Sequence, residues 1–248
     1  MFPEICKIGP FTIYAYGLLL AIAFIAGSTL ATRRARVEHI NLDIIFNLSF
    51  LSFISGVIGA RIFYVIENLS YYFKNPLEII MLQHGGLSWY GGLFAGIISA
   101  VLYLKKRNLA LFKILDLIAP FLALGQAIGR IGCLLNGCCF GSVYISGLYF
   151  GAHNSIIIPV QIISSGILVL IFVILRLFQN KPHPEGQIFF LYLLLYALKR
   201  FFVEFWRRDN PAFFLGLSLF QIISIVILIL STVKLFSLKK IKKKDAGI

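Results

Sequence analysis

Charge is what this sequence has least of. Only 13% of its 248 residues are Asp, Glu, Lys or Arg, and only 10 of those are acidic. A soluble domain carries about 25% charged residues, so too little charge is present to solvate a globular surface. A cytosolic enzyme, a disordered chain and a coiled coil are excluded together. Cysteine is also scarce, at four residues, which excludes a disulfide-built secreted scaffold. Methionine and tryptophan occur twice each. No internal repeat is present. Nor is there a phosphate-binding Walker loop, a G-x-S-x-G elbow or an H-E-x-x-H pair, which argues against ATP hydrolysis, a serine lipase and a zinc protease.

What fills the chain instead is apolar: 59% hydrophobic residues and a mean hydropathy of +0.90. Crossing a hydrocarbon core of about 30 Å takes about 20 helical residues. Runs of that kind lie near 11–32, 42–66, 86–104, 112–134, 156–178, 186–206 and 213–237. The expected fold is therefore all-α, a polytopic membrane protein of seven transmembrane helices forming one integral-membrane domain over 1–248. A Gly- and aromatic-rich loop at about 136–155 is expected to cap the outer surface, and a basic tail occupies 238–248. The first apolar run is too long for a cleaved signal peptide, and its basic cluster follows it.

The net charge of +13 is distributed by loop. One face receives Arg33, Arg34, Arg36, Lys105, Lys106, Arg107, Lys113, Arg176, Lys181, Lys234, Lys239, Lys240, Lys242, Lys243 and Lys244, fifteen of the 23 cations. The positive-inside rule puts that face in the cytoplasm, the N-terminus outside and the C-terminus inside. Nucleic acid is not needed to explain the basic tail.

Three cations resist that explanation. Arg61, Arg130 and Arg200 lie within apolar runs, where a central arginine costs about 2.5–3.5 kcal/mol or more and marks function by default. At about 1.5 Å per residue they sit roughly 28, 27 and 21 Å from the cytoplasmic starts of their helices, all in the outer half. Tyr16 and Trp89-Tyr90 fall at the same level. Only Glu204 and Glu67 are near enough in this arrangement to compensate, so surplus positive charge should hold an anion such as a lipid phosphate. In the sixth span Tyr192, Tyr196, Arg200, Glu204 and Arg208 recur every fourth residue and form a polar stripe, of which Tyr196, Arg200 and Glu204 can share one pocket.

Gly56, Ala60, Gly86, Gly91, Gly92, Gly125, Gly129 and Gly132 mark close helix approaches. Gly129 and Gly132 flank Arg130 and can also admit a headgroup to the backbone. Cys133, Cys138 and Cys139 cluster after Arg130, with Cys6 elsewhere. Their C-x4-C-C spacing is not a paired zinc pattern, and His153 is the one histidine nearby. No metal and no cofactor are expected, and a disulfide from Cys133 to Cys138, Cys139 or Cys6 is the stronger expectation. His39 and His183 are cytoplasmic and unremarkable; His84, at the outer start of the third span, is a functional candidate.

The run Gly129-Arg130-Ile131-Gly132-Cys133-Leu134-Leu135-Asn136-Gly137-Cys138-Cys139-Phe140-Gly141 resembles the signature of the bacterial prolipoprotein diacylglyceryl transferases. Ile8-Gly9-Pro10, Tyr16-Gly17-Leu18, Gly59-Ala60-Arg61, Gly85-Gly86, Tyr90-Gly91-Gly92-Leu93, Arg200 with Val203-Glu204-Phe205, and Gln221-Ile222 resemble the family in the same order. The resemblance implies an inner-membrane enzyme whose site faces the outer leaflet. It implies transfer of the diacylglyceryl group of phosphatidylglycerol to the lipobox cysteine of a prolipoprotein signal peptide, forming a thioether and releasing glycerol phosphate. It also implies Arg130 and Arg200 as essential arginines. Tyr90 stands where many members have histidine, and Cys133 and Cys138 replace the usual Asn and Glu. The candidate catalytic residues are thus Arg130, Arg200, Tyr90, Glu204 and His84, the last three as alternatives for the base. The candidate substrate-binding residues are Tyr16, Arg61, Gly91, Gly92, Gly129, Gly132, Asn136, Gly141 and Tyr196. The competing expectations are a paralogue with the same lipid pocket and another acceptor, a non-enzymatic anionic-lipid binder or transporter, and a thiol oxidoreductase.

Overall fold

The computed structural model describes residues 4–8, 11–81, 85–150, 155–207, 212–214 and 216–245. His84, His153 and Arg208 lie outside the described residues. Two short strands, β1 (Glu4–Ile8) and β2 (Phe11–Tyr14), lead into α1 (Ala15–Val37), α2 (Leu42–Glu67), the single turn α3 (Leu69–Tyr72) and a 3-10 turn at Pro76–Ile79. Then come α4 (Trp89–Lys106), α5 (Leu111–Asn136), β3 (Val143–Phe150), β4 (Ser155–Ile157), α6 (Val160–Gln179) and α7 (Gln187–Glu204). Strands β5 (Ala212–Phe214) and β6 (Leu217–Ser218) precede the final helix α8 (Leu219–Asp245).

The chain is predominantly helical, and five described helices are long and apolar enough to cross a bilayer: α1, α2, α5, α6 and α8. The two remaining long helices correspond to the third and sixth expected spans. Polar residues explain why they fall short: α4 opens on Trp89-Tyr90-Gly91-Gly92 and ends on Lys105-Lys106, and α7 carries Lys199, Arg200 and Glu204. The expected cap loop contains β3, which pairs antiparallel with β4 at the start of the expected fifth span, with Tyr149 opposite Ile156 and Phe150 opposite Ser155 in register.

By contact the chain forms two compact units, one comprising 1–7, 13–27 and 112–248 and the other 8–12 and 28–111. In the second unit α2 and α4 pack backbone to backbone. A Cβ on Gly59 would stand 2.7 Å from the Gly91 carbonyl oxygen and would overlap Ala95, and one on Gly91 would overlap Gly59 and Phe63. Small residues let membrane helices approach this closely and gain dispersion contacts that lipid cannot supply.

In the first unit α5, α6 and α7 enclose a core of Ala119, Ala123, Ala127, Leu168, Ile171, Leu175, Ile188 and Tyr192. Pro120 lies inside α5 and has no N–H to give the carbonyl of Asp116 four residues earlier. Gln179, buried at the end of α6, supplies the donor: its Nε2 reaches the Asp116 and Leu117 carbonyl oxygens at 2.9 and 3.1 Å. The Asp116 carboxylate in turn accepts from the Gly186 and Phe189 N–H groups at 2.6 and 2.8 Å, capping the start of α7. Asp116 thus links three helices, its carbonyl to the end of α6 and its carboxylate to the start of α7.

Candidate functional site

The site residues of the first unit gather where α5 ends and α7 ends. Arg200 Nη2 lies 3.1 Å from Glu204 Oε2, and Arg207 Nε lies 4.0 Å from the same oxygen. The other carboxylate oxygen, Oε1, accepts from Ser218 Oγ at 3.1 Å. Ser218 is fixed by the start of α8, since its N–H donates to Gln221 Oε1 at 2.8 Å and its hydroxyl accepts from the Gln221 N–H at 3.3 Å. Glu204 is buried, with both oxygens engaged, and holds two arginines in place. The Arg200 guanidinium also lies over the Phe220 ring, 4.4 Å from its centroid.

Two further cations complete the group. Lys199 is 5% exposed; its Nζ sits 4.8 Å from the Tyr196 ring centroid and has no hydrogen-bond partner among the described residues. Arg130, Arg200 and Arg207 all lie within electrostatic reach of it, and Arg130 within reach of Arg200. Among the described residues, four cations therefore share one neighbourhood with a single carboxylate. An unpartnered ammonium in an apolar surround costs several kcal/mol and is relieved by an anion.

Around Arg130 the chain is shaped by small residues. A Cβ on Gly129 would meet nothing within 4 Å, so the backbone beside Arg130 borders open space. A Cβ on Gly132 would stand 3.2 Å from the Tyr16 ring, so α1 packs tightly there and brings Tyr16 within electrostatic reach of Arg130. Beyond Asn136 the chain turns sharply: Gly137 and Cys139 both adopt left-handed backbone, with φ of 73° and 59°. That conformation is uncommon for a residue with a side chain and costs of order 1–3 kcal/mol.

Several bonds hold the turn. Gln161 Nε2 donates to the Cys138 carbonyl at 2.7 Å, the Gly141 N–H to Ile158 at 3.3 Å, and the Ser142 N–H to Trp206 at 2.8 Å. Gly141 pairs with Arg207 in an isolated bridge, and a Cβ there would stand 2.8 Å from the Ile158 carbonyl oxygen. Within the turn the Sγ atoms of Cys133, Cys138 and Cys139 lie within 4.8 Å of one another, and all four cysteines of the chain are unbridged. Hydrogen bonds from the Cys133 and Cys138 thiols, aided by Arg207 and Arg130, hold the Cys139 thiol well below its usual range.

The structure brings together Tyr16, Arg130, Gly129, Gly132, Asn136, Gly141, Tyr196, Arg200 and Glu204 of the expected site within one unit. Arg61, Tyr90, Gly91 and Gly92 belong to the other. Arg61 is 6% exposed and spends its guanidinium on its own unit. Nε donates to the Ile79 carbonyl at 2.9 Å, Nη1 to those of Gly85 and Gly86, and Nη2 to those of Glu78 and Met81. All five N–H donors are matched, and Tyr72 lies under the cation at 5.3 Å. Gly91 and Gly92 face Gly59 and Gly56 of α2. Tyr90 stands edge-on to Trp89, with ring centroids 5.3 Å apart.

Lys199 and Arg207 were not among the expected site residues. The signal for Lys199 was its place beside Arg200 in an apolar run; Arg207 lies just past the end of α7 and reads as an ordinary interfacial charge.

Fold and site together define a helical membrane protein in which cations from the ends of two helices, Arg130 and the group Lys199, Arg200 and Arg207, gather near Glu204. Its sequence matches the family model described as prolipoprotein diacylglyceryl transferase over residues 3–237. A Clostridium tetani protein named phosphatidylglycerol–prolipoprotein diacylglyceryl transferase is 33% identical over 98% of this chain and 100% of its own length. A Clostridium perfringens protein of that name, numbered 2, is 34% identical over 95% and 94%, and one from Finegoldia magna 34% over 91% of each. The chain belongs to the prolipoprotein diacylglyceryl transferase family.

Proposed function

We propose that this protein transfers the diacylglyceryl group of phosphatidylglycerol to the lipobox cysteine thiol of a prolipoprotein signal peptide, releasing glycerol phosphate. The observation that carries this is the cation cluster in which Lys199, Arg200 and Arg207 at the end of α7 meet Arg130 of the chain's counterpart of the family signature, beside Glu204. Family membership and the names borne by its relatives support the same activity.

The chemistry needs two things: a thiolate at the acceptor and a stabilised phosphate at the leaving group. Arg130 and Arg200 clamp the lipid phosphate. As the glyceryl C–O bond breaks, its electron pair moves onto the phosphate oxygen, where the clamp stabilises the added charge. Glu204 holds Arg200 in position, and Tyr16, Asn136 and Tyr196 orient the lipid. Gly129 leaves room for the ligand beside the backbone, and Gly132 and Gly141 let Tyr16 and Ile158 close on the segment that carries Arg130. Tyr90 and His84 are the remaining candidates to accept the thiol proton, and Arg61, Gly91 and Gly92 hold their own unit together.

The topology we propose has seven spans, with α4 and α7 as the two beyond the five strongly apolar helices. The N-terminus is outside and the basic tail in the cytoplasm, and the protein is a single inner-membrane domain whose site faces the outer leaflet. The fifteen of 23 cations that fall on the loops of one face support this orientation.

The test is release of glycerol phosphate from phosphatidylglycerol vesicles by purified protein. Release that requires a lipobox peptide, and stops when its cysteine is replaced by serine, supports transfer to the thiol. Release without any acceptor, or none with a folded protein that binds the lipid, contradicts it.

A further inference from the structure

The cysteines Cys133, Cys138 and Cys139 form a close group of metal-ligating side chains without a task in that mechanism. We propose that these three thiols form a zinc site whose open fourth position takes the acceptor's thiol. This inference rests on the proposed thiol transfer.

Three features carry it. First, convergence: the Sγ atoms lie within 4.8 Å of one another, although the residues are spread over seven positions. Zinc–sulfur bonds of about 2.3 Å set a tetrahedral sulfur–sulfur edge of about 3.8 Å, so contraction by about 1 Å completes the set. Second, preorganisation: left-handed backbone at Gly137 and Cys139 turns the adjacent pair Cys138-Cys139 back toward Cys133 at the end of α5. The strain is held by Gln161 on the Cys138 carbonyl and by the bonds of Gly141 and Ser142 to Ile158 and Trp206. Structure that fixes a strained backbone so as to converge three thiols needs a reason beyond packing. Third, charge: three thiolates around Zn2+ carry a net charge of −1, and a fourth makes −2. Arg130 and Arg207, both within electrostatic reach of Cys139, offset it.

Three protein ligands with an open position are the arrangement of a catalytic zinc site, and soft thiolates select zinc over magnesium or calcium. A thiol binding to zinc loses its proton outright. In the step we infer, the acceptor S–H bond breaks as the S–Zn bond forms, and the proton passes to water. The bound sulfur then attacks the glyceryl carbon; an S–C bond forms, the C–O bond breaks, and its electron pair leaves on the glycerol phosphate held by Arg130 and Arg200. The thioether product, a weaker zinc ligand than a thiolate, departs. Nothing is oxidised or reduced.

The experiment uses the full chain purified in detergent, stripped with a chelator and titrated with Zn2+ against a chromophoric zinc indicator, then with Co2+ as a spectroscopic substitute. The expected result is one Zn2+ per chain, at least tenfold weaker in Cys133→Ser or Cys138→Ser variants that elute as folded protein. The Co2+ spectrum should show thiolate-to-metal charge transfer that shifts with a lipobox peptide and not with its serine analogue. Stripped wild-type protein should transfer lipid at least tenfold more slowly and recover with Zn2+. Absence of stoichiometric zinc binding, or binding indifferent to both variants, would overturn the site. If stripped protein transfers at full rate, the zinc role falls and the transferase stands. If no form transfers but the Co2+ band still answers the thiol, the transferase falls and the thiol-binding metal site stands.

Discussion

Arg61, Arg130 and Arg200 form one class in the sequence, arginines within apolar runs at matching depth, and their surroundings divide them. Arg61 has every N–H on a backbone carbonyl of residues 78–86, whereas Arg200 shares a carboxylate and faces other cations. Depth along a helix is readable from residue count; which way the guanidinium turns is decided by chain up to 25 residues away. Two consequences separate them. Arg61→Lys offers three donors for five carbonyls, and thermal unfolding in detergent should show a loss of about 2 kcal/mol or more with faster proteolysis near 78–86; unchanged stability would contradict the anchoring role. Arg200→Lys keeps a charge near Glu204 but not the planar fork, so the transfer rate should fall by about 10²-fold or more with a stability change below about 1 kcal/mol. Glu204→Gln removes the carboxylate that, among the described residues, pairs with Arg200 and Arg207. It should destabilise by about 3–5 kcal/mol, and added phosphate should restore more stability to the variant than to wild type; equal responses would show that no anion site is there.

At the scale of elements, helix positions follow from apolar runs: each expected run holds a helix, and five of those described are long and apolar enough to cross a bilayer. The strands of the 136–155 segment escaped notice because glycine and aromatics there have no clear two-residue alternation, and β3 shifts register between Val143 and Leu148. The thiol convergence escaped for a related reason: spacing alone gives C-x4-C-C, and the two left-handed residues that close it are set by tertiary bonds. The junction at Pro120 is similarly silent, since no pattern links Gln179 to a carbonyl 63 residues earlier. Gln179→Ala should orphan the Asp116 carbonyl at a cost of about 1–3 kcal/mol, whereas in a Pro120→Ala background the helix supplies a donor to Asp116 and the cost should fall by half or more. Additive effects in that cycle would refute the link between proline and glutamine.

For the whole molecule, composition alone gave the class of protein, because 13% charge cannot clothe a soluble surface. Orientation rests on where the cations fall. In a background lacking the native cysteines, Ser142→Cys should react with a membrane-impermeant thiol reagent in intact cells, and Asn108→Cys only after the membrane is breached; the reverse pattern would overturn the proposed orientation. The division into two units was not legible, since it depends on contacts between distant helices, while the hydropathy profile sees each helix alone. The most direct test of the central claim, that the Arg130 cluster holds a lipid phosphate during thiol alkylation, is the mass of a lipobox peptide after incubation with purified protein and phosphatidylglycerol. A gain of one diacylglyceryl group with wild-type protein, lost with a folded Arg130→Ala variant, is the predicted result. An undiminished gain with the variant, or none with wild type, would contradict it.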